Sequence, residues 1–274
     1  MKSIISTSGR EASVRRYRAL IEKLGLEDEV AYSKFSSDVA DVDSKVDPAV
    51  FTAAIRESCL GGAISKDIKA LVIPFCDELH ETALEVQSVN TIVNKNGILK
   101  GYNTDAFGFK QCIESAIDVE VKTGIIYGYG GVTLVATHVL KSLGINDIYI
   151  TGRNLDKAKD RAEELGVSLW SKEMCMDLKD KPYIFVNASP VTDSKLESAD
   201  NFLDSITCCD TSLPRLVFDH ELSGEYLIEF TTRHNIKHVK GMEMYVPQMK
   251  KQWVLFLEGK ASATDIEKAL DDLI

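Results

Sequence analysis

The residues best suited to grip a polyhydroxylated ligand stand at the two ends of one stretch, Val89 to Phe109. Asn90-Thr91 opens it and Asn103-Thr104-Asp105 closes it. Between them an alternating apolar run turns at Asn96-Gly97 and returns through Ile98-Leu99-Lys100-Gly101-Tyr102, the pattern of a tight hairpin. Amides, hydroxyls and a carboxylate on the ends of rigid elements suit the hydroxyls of a ring. Thr104 or Asp105 also suits the N-cap of the helical pattern that follows.

Other groups of residues point to other chemistry. Ser6-Thr7-Ser8-Gly9-Arg10 follows a short strand pattern, and its hydroxyls and guanidinium suit a carboxylate, with Arg10 available for a bidentate contact. The same run also reads as an ordinary polar turn. Lys69 lies at the start of an expected helix, where a cation opposes the helix dipole. Gly128, Gly130 and Gly131 sit between the apolar strand Thr123–Tyr127 and a helical pattern. There a backbone can approach a pyrophosphate and a helix N-terminus can receive its charge.

The next strand ends at Thr151 and is followed by Gly152-Arg153-Asn154, with Lys157 beyond. A nicotinamide site selective for NAD carries an acid at this place, so the two cations predict NADP instead. Both also read as solvated residues at a helix start. Asn187 and Ser189 follow the apolar strand Tyr183–Val186, and Asp219 ends another, at the carboxyl edge where sheet ligands bind. Gln248 lies on the long helix that begins at Gly241, where it also reads as one polar residue of an amphipathic face.

These residues need two α/β layers to position them. Strand and helix patterns alternate along the first hundred residues, with helices expected at 12–24, 48–59 and 66–79 and a strand at Ala63-Ile64-Ser65 after the break at Gly61-Gly62. A second βαβ series follows. The expected architecture is therefore an N-terminal α/β substrate domain and a C-terminal Rossmann-like NADP domain. The boundaries are 1–103 plus 238–274 for the first and 104–237 for the second. The two terminal helices exceed what the nucleotide sheet requires, so they are expected to pack back on the first domain, with Gln248 toward a cleft.

Composition sets limits on the function. With 274 residues, a formal net charge of -10 and 45% apolar residues, the chain reads as an ordinary globular protein. The acidic balance argues against nucleic acid and anionic membranes as partners. No secretory leader or run of membrane-spanning length is evident. The six cysteines show no zinc spacing and no metal is expected. They read as reduced residues of a cytoplasmic protein, and Cys208-Cys209 has no assigned role.

Six motifs in one order resemble the shikimate dehydrogenase family along nearly the whole chain. Val89-Asn90-Thr91-Ile92-Val93 and Gly101-Tyr102-Asn103-Thr104-Asp105 are similar to the family's substrate motifs. Gly128 to Gly131 is similar to its glycine loop, and Gly152-Arg153-Asn154 with Lys157 to its phosphate clamp. Asn187-Ala188-Ser189-Pro190 and the run from Gly241 to Gln248 resemble its strand end and late helix. The resemblance implies NADP-linked reversible reduction of 3-dehydroshikimate to shikimate, a step of aromatic amino acid biosynthesis. It makes Lys69 and Asp105 the catalytic pair. It assigns ring hydroxyls to Asn90 and Gln248, and the carboxylate to Ser6 and Ser8.

Departures from the family pattern narrow this expectation. Ile64-Ser65-Lys66-Asp67-Ile68-Lys69 lacks the family's proline, so Lys66 rivals Lys69. Arg10 is additional, Leu222 stands where a tyrosine is usual, and Thr192-Asp193 replaces Gly-Met. The chain therefore looks more like the shikimate dehydrogenase-like paralogues, with a cyclic hydroxy-carboxylic acid such as shikimate, quinate or an aminoshikimate as substrate and a monomer or homodimer as the assembly. A ligand sensor without catalysis is the alternative, which the retention of both Lys69 and Asp105 disfavours. A methyltransferase is disfavoured by Arg153, where a ribose would need an acid.

Overall fold

The computed structural model describes residues 1–8, 11–35, 46–65, 68–171, 174, 178, 181–189, 213–220 and 225–274. Arg10, Lys66, Pro190, Thr192, Asp193, Leu222 and Cys208-Cys209 lie outside these residues. The chain divides into two compact units, Met1–Phe107 with Gln248–Ile274, and Gly108–Pro247. Both divisions fall inside helices, and the second falls at Pro247, whose ring removes a backbone donor from its helix.

The first unit holds β1 (Lys2–Ser6), α1 (Glu11–Lys23), β2 (Val30–Lys34), α2 (Pro48–Ser58), β3 (Cys59–Ala63), β4 (Glu78–Leu79), α3 (Glu81–Glu85), β5 (Thr91–Lys95) and β6 (Ile98–Tyr102). Its sheet order is β2-β1-β3-β5-β6-β4. The first three strands run parallel, and the β5–β6 hairpin enters antiparallel to β3. Asn96 and Gly97 both have positive φ, as a primed hairpin turn requires.

Gly61 and Gly62 do not break β3 but make it possible. A Cβ on Gly61 would stand 2.4 Å from the Ile92 carbonyl oxygen, and one on Gly62 2.4 Å from Ile55 Cδ1. The absence of side chains lets β5 approach on one side and α2 on the other. The core beneath is formed by Phe51, Ile55, Val72, Ile92 and Leu99 among others. The expected helix over 66–79 is not formed. Ile68 to Val72 turn, a 3-10 helix covers Ile73–Phe75, and β4 follows. Pro74 cannot continue an α-helical hydrogen-bond ladder, and residues 78–79 pair with β6 instead.

Residues 248–274 pack back onto this unit. The rings of Tyr17, Tyr32 and Trp253 lie within 4.8–5.7 Å of one another. Lys23 pairs with Asp272, and Lys260 with Glu29.

The second unit contains most of α4 (Thr104–Ala116), then β7 (Thr123–Tyr127), α5 (Gly131–Ser142), β8 (Asp147–Thr151), α6 (Leu155–Leu165), β9 (Ser168–Leu169), β10 (Tyr183–Asn187), β11 (Leu216–Asp219), a helix over Glu225–Arg233 and β12 (Lys237–Lys240). Its sheet is wholly parallel, in the order β12-β11-β10-β7-β8-β9. That order reverses between β7 and β10, the place where a doubly wound sheet opens a crevice at its carboxyl edge. Tyr183, Phe185, Val217 and Phe230 form part of the core beneath.

Candidate functional site

Lys69 and Asp105 meet in the first unit. Lys69 Nζ donates to Asp105 Oδ2 at 2.6 Å, and the two side chains are 27% and 22% exposed. Lys69 sits in the turn after Ile68, and its carbonyl accepts from the Val89 amide at the mouth of the hairpin. Asp105 sits in the first turn of α4, where a carboxylate is favoured by the helix dipole. It is not the cap. Asn103 Oδ1 accepts from the Ala106 amide at 3.0 Å and fills that role, leaving the Asp105 carboxylate to Lys69.

Beside this pair in sequence, the hairpin ends form a buried polar network. Asn90 is 2% exposed. Its Oδ1 accepts from the Thr104 amide at 2.9 Å and the Thr91 hydroxyl at 2.8 Å, while its Nδ2 donates to Thr104 Oγ1 at 3.0 Å. Gln248 Nε2 donates to the same Thr104 oxygen at 2.9 Å. Gln248 is therefore drawn onto the hairpin, with its amide nitrogen committed inward and its carbonyl oxygen left as an acceptor.

The hydroxyls after β1 divide. Ser6 is buried and turned back on its own loop, donating to the Ser8 carbonyl and accepting from the Ser8 amide. Ser8 is half-buried. Thr7 Oγ1 lies 3.1 Å from Ser65 Oγ and accepts from the Ser65 amide, tying the end of β1 to the residues after β3.

In the second unit the glycines differ in purpose. Gly128 has φ +132, and a Cβ there would stand 3.0 Å from the Ala188 backbone. Only glycine lets the chain leave β7 so near the end of β10. Gly130 and Gly131 have open space where side chains would be. Gly130 caps α5 with no side-chain acceptor; the Thr133 amide turns back to the Gly130 carbonyl at 3.2 Å, and the helix start ahead of it suits an anion.

Arg153, Asn154 and Lys157 are exposed at the start of α6. Asn154 caps that helix, with Oδ1 accepting from the Lys157 amide at 3.0 Å. Burial raises the Tyr127 hydroxyl pKa above its ordinary value, while the Arg153 charge pulls it down. Arg153 therefore acts electrostatically on the strand end where the glycine turn begins. This donor set, the cations Arg153 and Lys157 in the same unit as a helix start whose cap offers no side-chain acceptor, fits a phosphorylated dinucleotide. Asn187 donates from Nδ2 to Asp219 at 2.9 Å and accepts at Oδ1 from the Ser189 amide, so all three close the carboxyl edge of the sheet. Gly241 is buried as the first residue of its helix.

Sequence reasoning missed Thr104 as the centre of the polar network, Thr7 as a tie to Ser65, and Gln252 and Arg161. Gln252 stands four residues after Gln248 and so on the same helix face, a signal present in the spacing. Arg161 Nη2 donates to the Gly130 carbonyl at 3.2 Å, joining α6 to the glycine loop.

The chain matches no family model. It is 34% identical over 203 residues to the pentafunctional AROM polypeptide of Yarrowia lipolytica, covering 72% of this chain and 13% of that protein. It is 42% identical over 106 residues to the shikimate dehydrogenase (NADP(+)) of Halothermothrix orenii, covering 38% of this chain and 35% of that protein. In both cases the match spans well under two thirds of the relative's own length. In fold it is similar to a shikimate 5-dehydrogenase-like protein, with TM-score 0.75, 23% identity, and 99% and 96% of the two chains covered. It is also similar to the shikimate 5-dehydrogenase of Thermus thermophilus solved with NADP(H) and shikimate, with TM-score 0.71, 20% identity and both chains covered fully.

Proposed function

From the premise that this chain is a relative of the shikimate dehydrogenases, we propose that it is an NADP-dependent oxidoreductase. It reversibly reduces 3-dehydroshikimate to shikimate, or acts on a related cyclic hydroxy acid. The observation that carries this reading is the 2.6 Å contact between Lys69 Nζ and Asp105 Oδ2, next in sequence to the network that joins Asn90, Thr104 and Gln248. Reduction of a ring carbonyl adds a hydride to carbon and a proton to oxygen. NADPH, when bound, supplies the hydride.

Lys69 donates the proton to the oxygen in the reducing direction and recovers it in the other. Asp105 holds the Lys69 amine in place and accepts from a neighbouring ring hydroxyl. Gln248 Oε1 accepts from another. Ser8 and Arg10 take the carboxylate, and Ser6 shapes the loop that carries them. Arg153 and Lys157 hold the 2′-phosphate, and the start of α5 receives the pyrophosphate.

The test is an NADP-coupled screen of shikimate, quinate and aminoshikimate with the purified protein. Wild-type protein is expected to turn over at least one of them. Lys69→Ala is expected to cut kcat by about a hundredfold to ten-thousandfold, and Asp105→Asn to cut it by a similar order. A wild-type protein idle on every acid in both directions would sink the reading, as would a Lys69→Ala variant with unchanged kcat.

A further inference from the structure

Gln252 has no part in the assignments above, yet its amide is buried within the candidate substrate machinery. It is 7% exposed on the helix over Gly241–Phe256. Its Nε2 donates to Thr91 Oγ1 at 2.7 Å and to the Asn90 carbonyl at 3.3 Å. We propose that Gln252 is a positioning residue that sets the donor face of the Asn90 amide through the Thr91 hydroxyl. The inference rests on the reading of Asn90 as a group that meets the acid substrate.

A hydroxyl has one proton to give, and the direction it takes depends on its neighbours. Because Gln252 donates into Thr91 Oγ1, the Thr91 proton is free to go to Asn90 Oδ1, 2.8 Å away. The Thr104 amide donates to the same oxygen at 2.9 Å, and the Thr104 hydroxyl at a longer 3.2 Å. With Oδ1 taken by these donors, the Thr91 hydroxyl the nearest, Asn90 offers only donors in every other direction. One N–H goes to Thr104 Oγ1, and the second is left for a ring oxygen.

Without the Gln252 amide, the Thr91 hydroxyl can rotate away and Asn90 Oδ1 loses its nearest donor. The amide then presents a mixed face in place of a fixed donor. Gln252 bonds to Thr91 and Asn90 while Lys69 bonds to Asp105, so the effect belongs to acid binding and not to proton transfer.

The experiment compares wild-type protein with Gln252→Met, which keeps length and volume but has no amide, and with Thr91→Val and Thr91→Ser. Steady-state constants for shikimate and NADP are measured with calorimetric titration of shikimate. Gln252→Met and Thr91→Val are each expected to raise the KM for shikimate roughly fivefold to tenfold, the worth of one well-made hydrogen bond. The KM for NADP should move less than twofold. Thr91→Ser should behave as wild type, and the double variant should be no worse than either single change, since both break one relay.

Equal losses in the two KM values, additive losses, or no loss in Gln252→Met would overturn the inference while leaving the functional reading standing. Should wild-type protein turn over no acid, that reading fails by itself. The titration then decides the inference: weaker shikimate binding in Gln252→Met supports it, and equal or absent binding by wild type and variant overturns it.

Discussion

At the scale of single residues, position decides which charges are available for chemistry. Arg153 and Lys157 are exposed at the start of α6, where their charges can meet a phosphate. Arg153→Ala is therefore expected to raise the KM for NADP by tenfold or more while changing that for NAD less than threefold, the loss expected of a charged contact. Equal losses for both cofactors would remove Arg153 from the 2′-phosphate.

The polar types of Asn90 and Asp105 stood out in the sequence because hairpin and helix spacing placed them at element ends, whereas Gln248, inside its helix, stood out only through the family resemblance. The role of Thr104 did not, because a hydroxyl that receives two amides from residues 14 and 144 positions away leaves no local signature. The same holds for Thr7, whose partner Ser65 is 58 residues distant. Side chains that bond their own neighbourhood can be read locally, and those that bond across the sheet cannot.

At the scale of elements, glycine misled the sequence reading where it packs and served it where it turns. Asn96-Gly97 and Gly128 were legible because positive φ has a known sequence cost. Gly61-Gly62 was read as the break between a helix and a strand at 63–65; the helix does end before them, at Ser58, but both residues are central to β3, because close approach by Ile92, Ile55 and Phe51 is a tertiary fact. Gly62→Ala puts a methyl into Ile55 and Phe51 and is expected to destabilise the protein by about 1–3 kcal/mol through overpacking. Chemical denaturation checks this, and an unchanged midpoint would mean that α2 can shift at no cost. The last helix shows a smaller displacement. Thr264-Asp265-Ile266-Glu267 reads as a capping box that opens a helix at Asp265, but Ser262 accepts from the Asp265 amide and the helix covers Ala263–Asp271. A second hydroxyl two residues earlier is enough to move the start.

At the scale of the whole molecule, paired charges and the half-buried His238 imidazole govern the response to acid. Asp77, Asp118, Glu29 and Asp272 are each held below the ordinary carboxylate value, first by hydrogen bonds from Arg56, Arg215, Lys260 and Lys23. Their contribution is present above about pH 4 and is lost as pH falls through their folded values. His238 behaves differently. Burial, with the Lys240 charge, lowers its pKa below 6.5, against a smaller opposing pull from Glu243.

Its neutral form contributes stability that is complete above pH 6.5 and is lost as pH falls toward the folded value. Stability against pH should therefore fall in two limbs, and His238→Gln should flatten the upper one alone. A variant that keeps both limbs would clear His238 of the effect. The order of strands in each sheet was legible only in outline, since alternation predicts layers but not which strands become neighbours. The return of residues 248–274 to the first unit also has a temporal consequence. Trp253 must reach Tyr17 and Tyr32 before their ring cluster is complete. On the ribosome residues 108–247 emerge between the two parts of the first unit, so that unit is complete only after the middle of the chain has been made, the reverse of the usual N-terminal order of domain folding.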